Sequence, residues 1–149
     1  MFGKLLKTDP NDVTLTILRL VLGVVFFAHG AQKVFGWFGG YGYSATMGFF
    51  MHNGIPAPLA FLAIMAEFLG GLGLIVGLLS RVAAFGITCN MLVAILTVHM
   101  RNGLFMNWAG NQKGEGFEYH LLVLAITCAI MIAGGGAWSV DAAVQLLLI

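Results

Sequence analysis

Charge is what this chain has least of. Only 9% of its 149 residues are Asp, Glu, Lys or Arg, against about 25% in an average soluble domain. A domain of this size cannot clothe its exterior with so few. Seven basic and six acidic residues leave a net charge of +1, without the concentrated basic face that a nucleic-acid partner needs. Cysteine is scarce too. Cys89 and Cys128 stand far apart in apolar runs, which excludes a disulfide scaffold and supplies no CxxC redox pair. A phosphate loop, a nucleophilic triad and a dinucleotide fingerprint are all missing. The 21 glycines have no period, so a collagen-like chain is excluded.

What is abundant is apolar. Hydrophobic residues make up 60% of the chain and the mean hydropathy is +0.95, the composition of an integral membrane protein. A helix rises about 1.5 Å per residue, so a hydrocarbon core of about 30 Å takes roughly 20 apolar residues. Four segments approach that length: about Leu15 to Phe35, Pro58 to Leu79, Val82 to Met100, and Glu118 to Ala133. Ser80-Arg81 reads as a minimal break, which makes the second and third spans an antiparallel hairpin. The expected fold is therefore all-α, a polytopic four-transmembrane-helix bundle forming one membrane domain over residues 1–149. The first span is longer than a signal-peptide core and carries Arg19, so it is read as an uncleaved anchor.

Four crossings put both termini on one side. Lys4, Lys7 and Arg81 fall there, with Arg19 just inside the membrane; Lys33, Arg101 and Lys113 fall at the other side. That bias is small and favours cytoplasmic termini. The connection from Gly36 to Ala57 is rich in glycine and aromatics, with Trp37, Phe38, Tyr41, Tyr43, Phe49 and Phe50. Such a loop is expected to lie in the interface or re-enter the bundle rather than float in water.

Ionisable residues at membrane depth are costly and are functional candidates by default. His29 and Lys33 lie one turn apart near the end of the first span. Glu67 lies about 13 Å below the outer end of the second. His99 closes the third span, and Glu118, Tyr119 and His120 open the fourth at the same side. These groups converge on the outer half of the bundle, where they offer proton transfer or hydrogen bonds to an oxygen-bearing ligand. A structural ion pair between Glu67 and a basic neighbour is the plainer alternative. His29, Glu67, His99 and His120 are acceptable metal ligands, but neither a His-x-x-x-His nor a Glu-x-x-His spacing is present, and no metal is expected. Arg19 could reach the cytoplasmic surface, Asp141 or Glu67; a structural role suits it best. Cys89 and Cys128 lie at equal depth, which leaves a contact between the third and fourth spans open. Gly73-x-x-x-Gly77 is a small-xxx-small pattern that suits close helix packing and permits a homo-oligomer.

Arg19 followed by HGAQKVFG, then AEFLGGLGLIVGLLSR, GEGFEYHLLVLA and GGGAWSVDA, resembles the DoxX family of bacterial four-helix membrane proteins over about Thr14 to Ala142. The resemblance implies a bacterial inner-membrane location with cytoplasmic termini. It also implies an association with membrane oxidoreductases and quinones, since one relative, DoxD, is tied to a thiosulfate:quinone oxidoreductase. By the same resemblance Arg19, His29, Lys33, Glu67 and His99 form the functional polar set, joined by Glu118 and His120. Thiosulfate chemistry carried by this chain alone lacks its cysteine pair.

Three functions follow as expectations. In the first, a redox-associated subunit binds quinone, with His29, Lys33 and Glu67 as proton relay and hydrogen-bonding groups. Arg19, His99, Glu118, His120, Trp37 and Tyr41 contribute to binding, and a partner oxidoreductase supplies electrons, because no self-sufficient catalytic motif or flavin, haem or iron–sulfur site is visible. In the second, the protein is a non-catalytic scaffold or assembly factor in the bilayer. In the third, it moves a small solute as an oligomer, a reading weakened by the lack of inverted repeats with broken helices.

Overall fold

The computed structural model describes residues 2–147, without the side chains of Phe2 and Lys4; the inner-side charge expected at Lys4 thus lies outside the described side chains. Helices α1 (Phe2–Leu6), α2 (Val13–Phe35), α3 (Gly42–His52), α4 (Ala57–Val76), α5 (Ser80–Thr97), α6 (Glu118–Ala133) and α7 (Val140–Leu147) follow in order, with 3₁₀ turns at Trp37–Gly39 and His99–Asn102. Among the described residues there is no strand. Helices α2, α4 and α5 are each long and apolar enough to cross a membrane. The shorter α6 closes a ring in which α2 packs on α4, α4 on α5, α5 on α6, and α6 back on α2. Leu22, Phe26, Leu74, Ile87, Val123 and Ile130 fill its centre.

Local chemistry sets the ends of these helices. The Asp12 side chain caps α2 by accepting from the Leu15 N–H at 2.9 Å, and Gly36 stops it in the left-handed region at φ 74°. Pro58 opens α4 in the first turn, where a missing N–H costs nothing. Gly77 ends α4 at φ 73°, and the Leu78 N–H reaches back to the Gly73 carbonyl at 2.8 Å, the six-to-one bond of a Schellman cap. The break between the second and third spans is therefore Gly77–Leu79, earlier than Ser80-Arg81. Ser80 and Arg81 already belong to α5.

The α2–α4 contact is close because glycine alternates across it. A Cβ on Gly30 would sit 2.4 Å from the Phe68 Cα, and one on Gly71 would sit 2.3 Å from the Phe27 nitrogen. Gly23, Gly30 and Gly71 thus make the tight interface, whereas Gly73 and Gly77 serve the turn. The α5–α6 seam carries a hydroxyl contact instead, Thr88 Oγ1 to Thr127 Oγ1 at 2.8 Å. Cys89 and Cys128, the next residues along, are both free and exposed, so the depth match does not become a disulfide.

Both described chain ends lie at one end of the bundle, and two arginines hold that end. Arg19, 1% exposed, donates to the carbonyls of Leu74 (2.5 Å), Ile75 (2.7 Å) and Gly135 (2.8 Å). Arg81 donates to Met131 and Ile132, each at 2.8 Å, and to the Lys7 carbonyl. Each guanidinium satisfies the orphan carbonyls at the C-terminus of a neighbouring helix. Asp141 does the converse for α5, accepting from the Leu79 and Ser80 N–H groups at 2.7 and 2.8 Å. Of the three destinations open to Arg19, the structure takes none directly: its partners are backbone carbonyls.

Candidate functional site

The opposite end, the loop end, holds the remaining ionisable candidates. The segment after α2 departs from the loop expected over Gly36 to Ala57: it is a 3₁₀ turn and then α3, an 11-residue helix with no buried residue. Glycine and aromatics lower helix propensity, which hides this helix in the sequence, but Thr46 and its neighbours complete regular turns between Gly42 and Asn53.

Lys33, on the last turn of α2, forms an ion pair with Oε2 of Glu67 on α4. Glu67 is 8% exposed and makes no other hydrogen bond among the described residues. On its far side Lys33 forms part of the wall of a cavity of about 390 Å³, completed by Tyr41, Ala45, Thr46, Phe49 and Phe50 from α3 and its approach. That volume lies within the range of small-molecule sites, about 300–1,000 Å³. Three aromatic rings and one ammonium suit a flat, mostly apolar ligand with a hydrogen-bond acceptor, because lysine brings three donors and Glu67 uses only one face of them. Ala45 and Thr46 supply the room. The sequence marked the aromatics here but gave no sign of these two smaller residues.

Other sequence candidates fall elsewhere. His29 is exposed, its ring centroid 6.4 Å from that of Phe26, and among the described residues it makes no hydrogen bond or ion pair with Lys33 or Glu67. Trp37 packs on Phe35 at 4.9 Å and is not part of the cavity wall. Glu118 is a loop anchor: its Oε1 accepts from the Met106 N–H at 2.8 Å and from the Trp108 indole at 3.3 Å. Arg19 stands at the terminal end, in the backbone network described above. His99 and His120 meet, their ring centroids 4.1 Å apart, and the His99 Nδ1 lies 2.8 Å from the Glu115 carbonyl. No group of three or more His, Cys, Asp or Glu able to hold a metal occurs among the described residues.

Tyr119, expected in the sequence only as one of the polar groups that open the fourth span, is set apart in the structure by its hydroxyl. Its hydroxyl is buried without a hydrogen-bond partner among the described residues, as is the His120 Nδ1. The only signal in the sequence is their adjacency to Glu118 at the start of the fourth span.

Comparison with known proteins gives the chain its relatives. The DoxX family model matches residues 14–100. The Bacillus subtilis (strain 168) protein named "Putative oxidoreductase CatD" is 30% identical over 119 residues, covering 80% of this chain and 79% of that protein. The inner membrane protein YqjF of Escherichia coli (strain K12) is 28% identical over 131 residues, covering 88% and 92%. No solved structure matches significantly. With more than half its length matched by the family model, this membrane protein belongs to the DoxX family.

Proposed function

We propose that the protein is a redox-associated subunit that binds the head group of a quinone in the cavity between α2 and α3 and works with a partner oxidoreductase. The observation that carries this reading is the composition of that wall: Tyr41, Phe49 and Phe50 around a single ammonium, Lys33, backed by a carboxylate, Glu67. When bound, quinone supplies a carrier of two electrons and two protons. Lys33 donates a hydrogen bond to a ring oxygen, and Glu67 holds the lysine in place and exchanges its proton. Electrons come from the partner. The name given to CatD agrees with a redox setting, and the name of YqjF with the bacterial inner membrane. The small excess of basic residues at the terminal end supports a reading with cytoplasmic termini and the site in the outer half of the bilayer.

A scaffold reading is favoured by one observation, that the ion pair also bridges α2 and α4 beside their glycine contact and so could serve register alone. Lipid extraction and mass spectrometry of protein taken gently from its native membrane separate the two. A stoichiometric quinone, lost in Lys33→Met protein that is still folded, supports the redox reading. Folded wild-type protein with no quinone supports the scaffold.

A further inference from the structure

We propose that the cavity beside Lys33 favours the reduced form of its ligand: it holds a hydroquinone more tightly than the quinone, and the Thr46 hydroxyl makes the distinction. The inference rests on the reading of this cavity as a quinone site and adds the redox form that the site selects.

Most of the wall comes from one face of α3. Ala45, Thr46, Phe49 and Phe50 stand at positions i, i+1, i+4 and i+5, neighbours on one side of a helix. Of these four, Thr46 alone has a polar side chain. Its Oγ1 donates to the Gly42 carbonyl at 2.8 Å. A hydroxyl has a single proton, so what Thr46 still offers a ligand is lone pairs. Lys33, across the cavity on α2, has the opposite character. An ammonium has three N–H donors and no acceptor, and the Glu67 carboxylate occupies only part of that capacity. Tyr41 is exposed, and its phenol both donates and accepts, so it serves either redox form alike.

The wall therefore pairs a group that only donates with one that only accepts. A quinone brings two carbonyl oxygens, both acceptors. One can meet Lys33, but the other would set its lone pairs against those of Thr46. A hydroquinone fits both groups, since one oxygen accepts from Lys33 while the opposite O–H donates to Thr46. The two forms have nearly the same ring size, so contact with Phe49 and Phe50 does not separate them and hydrogen bonding decides. One hydrogen bond of difference corresponds to about fivefold in affinity. Reduction takes two electrons from the partner oxidoreductase and two protons, which turn both carbonyls into hydroxyls. A site that holds this product more tightly makes the bound quinone easier to reduce.

The test is equilibrium dialysis of full-length protein in phospholipid nanodiscs, corrected with empty nanodiscs. The probes are tetramethyl-1,4-benzoquinone and, under argon, its hydroquinone; the fully substituted ring cannot alkylate Cys89 or Cys128. The wild type is expected to bind the hydroquinone about fivefold more tightly than the quinone. Thr46→Val, equal in size but without the acceptor, is expected to bring that ratio to about one by weakening the hydroquinone alone. Thr46→Ser keeps the acceptor and the preference, and Lys33→Met weakens both forms. Equal binding by the wild type, tighter binding of the quinone, or a preference that survives in Thr46→Val overturns the assignment and leaves the quinone site standing. Binding of neither form by folded wild-type protein removes the quinone site and this inference with it.

Discussion

At the scale of single residues, the proposed chemistry turns on one pair. Lys33 and Glu67 are the only Lys–Glu partners joined side chain to side chain among the described residues, and removing one strands the other at membrane depth. Such losses cost about 3 kcal/mol or more when the pair is well buried, somewhat less here because the lysine side chain is 24% exposed. Lys33→Met and Glu67→Leu are each expected to lower the thermal midpoint in detergent, and the double variant to regain most of it. Bound quinone should be absent from all three. A double variant that is stable and still retains quinone would contradict the assignment of the pair to the ligand. His29→Phe, by contrast, is expected to leave both readouts near wild type. The sequence made the Lys33–Glu67 pair legible through depth and charge. It could not separate His29 from that pair, because a four-residue step turns the helix by about 40° and spacing alone does not say where the buried face ends.

At the scale of elements, helix ends were the least legible feature. Hydropathy carried the second span to Leu79, yet Gly77 in the left-handed region stops α4 sooner, and a hydropathy window does not sense backbone dihedrals. The remote cap from Asp141 on α7 was hidden for a related reason: its partners, Leu79 and Ser80, are about 60 residues away in sequence, beyond any local pattern. Asp141→Ala is expected to cost about 2 kcal/mol, the scale of a lost charged cap. Gly71→Ala should cost about as much, since its methyl group would press on the Phe27 backbone, which cannot yield. Chemical or thermal unfolding in a fixed detergent measures both, and a neutral Gly71→Ala would contradict the close α2–α4 packing. For α3 the informative change is Ala45→Leu. It fills the cavity without touching the core, so quinone content is expected to fall severalfold while the thermal midpoint stays within a degree or two. Retention of both would place the ligand elsewhere.

Across the whole molecule, polar groups are sorted by end. The terminal end is a closed backbone network around Arg19, Arg81 and Asp141, a rigid base. The loop end holds the ion pair, the aromatic wall and the histidine contact. Length, composition and the four apolar runs sufficed to foresee the helical membrane bundle, because the bilayer tolerates few alternatives. They did not foresee α3 as a helix, and with it the wall of the site.

The cavity beside Lys33 is tested most directly by photocrosslinking. A benzoquinone bearing a photoactivatable group on its ring would be bound to the full-length protein in nanodiscs, irradiated, and the modified peptides mapped by mass spectrometry. The expected result is modification within Tyr41–Phe50, suppressed by excess unlabelled quinone and by Lys33→Met. Saturable modification confined to the lipid-facing groove between α4 and α5, around Leu69, Gly73 and Val82, would contradict the site proposed here.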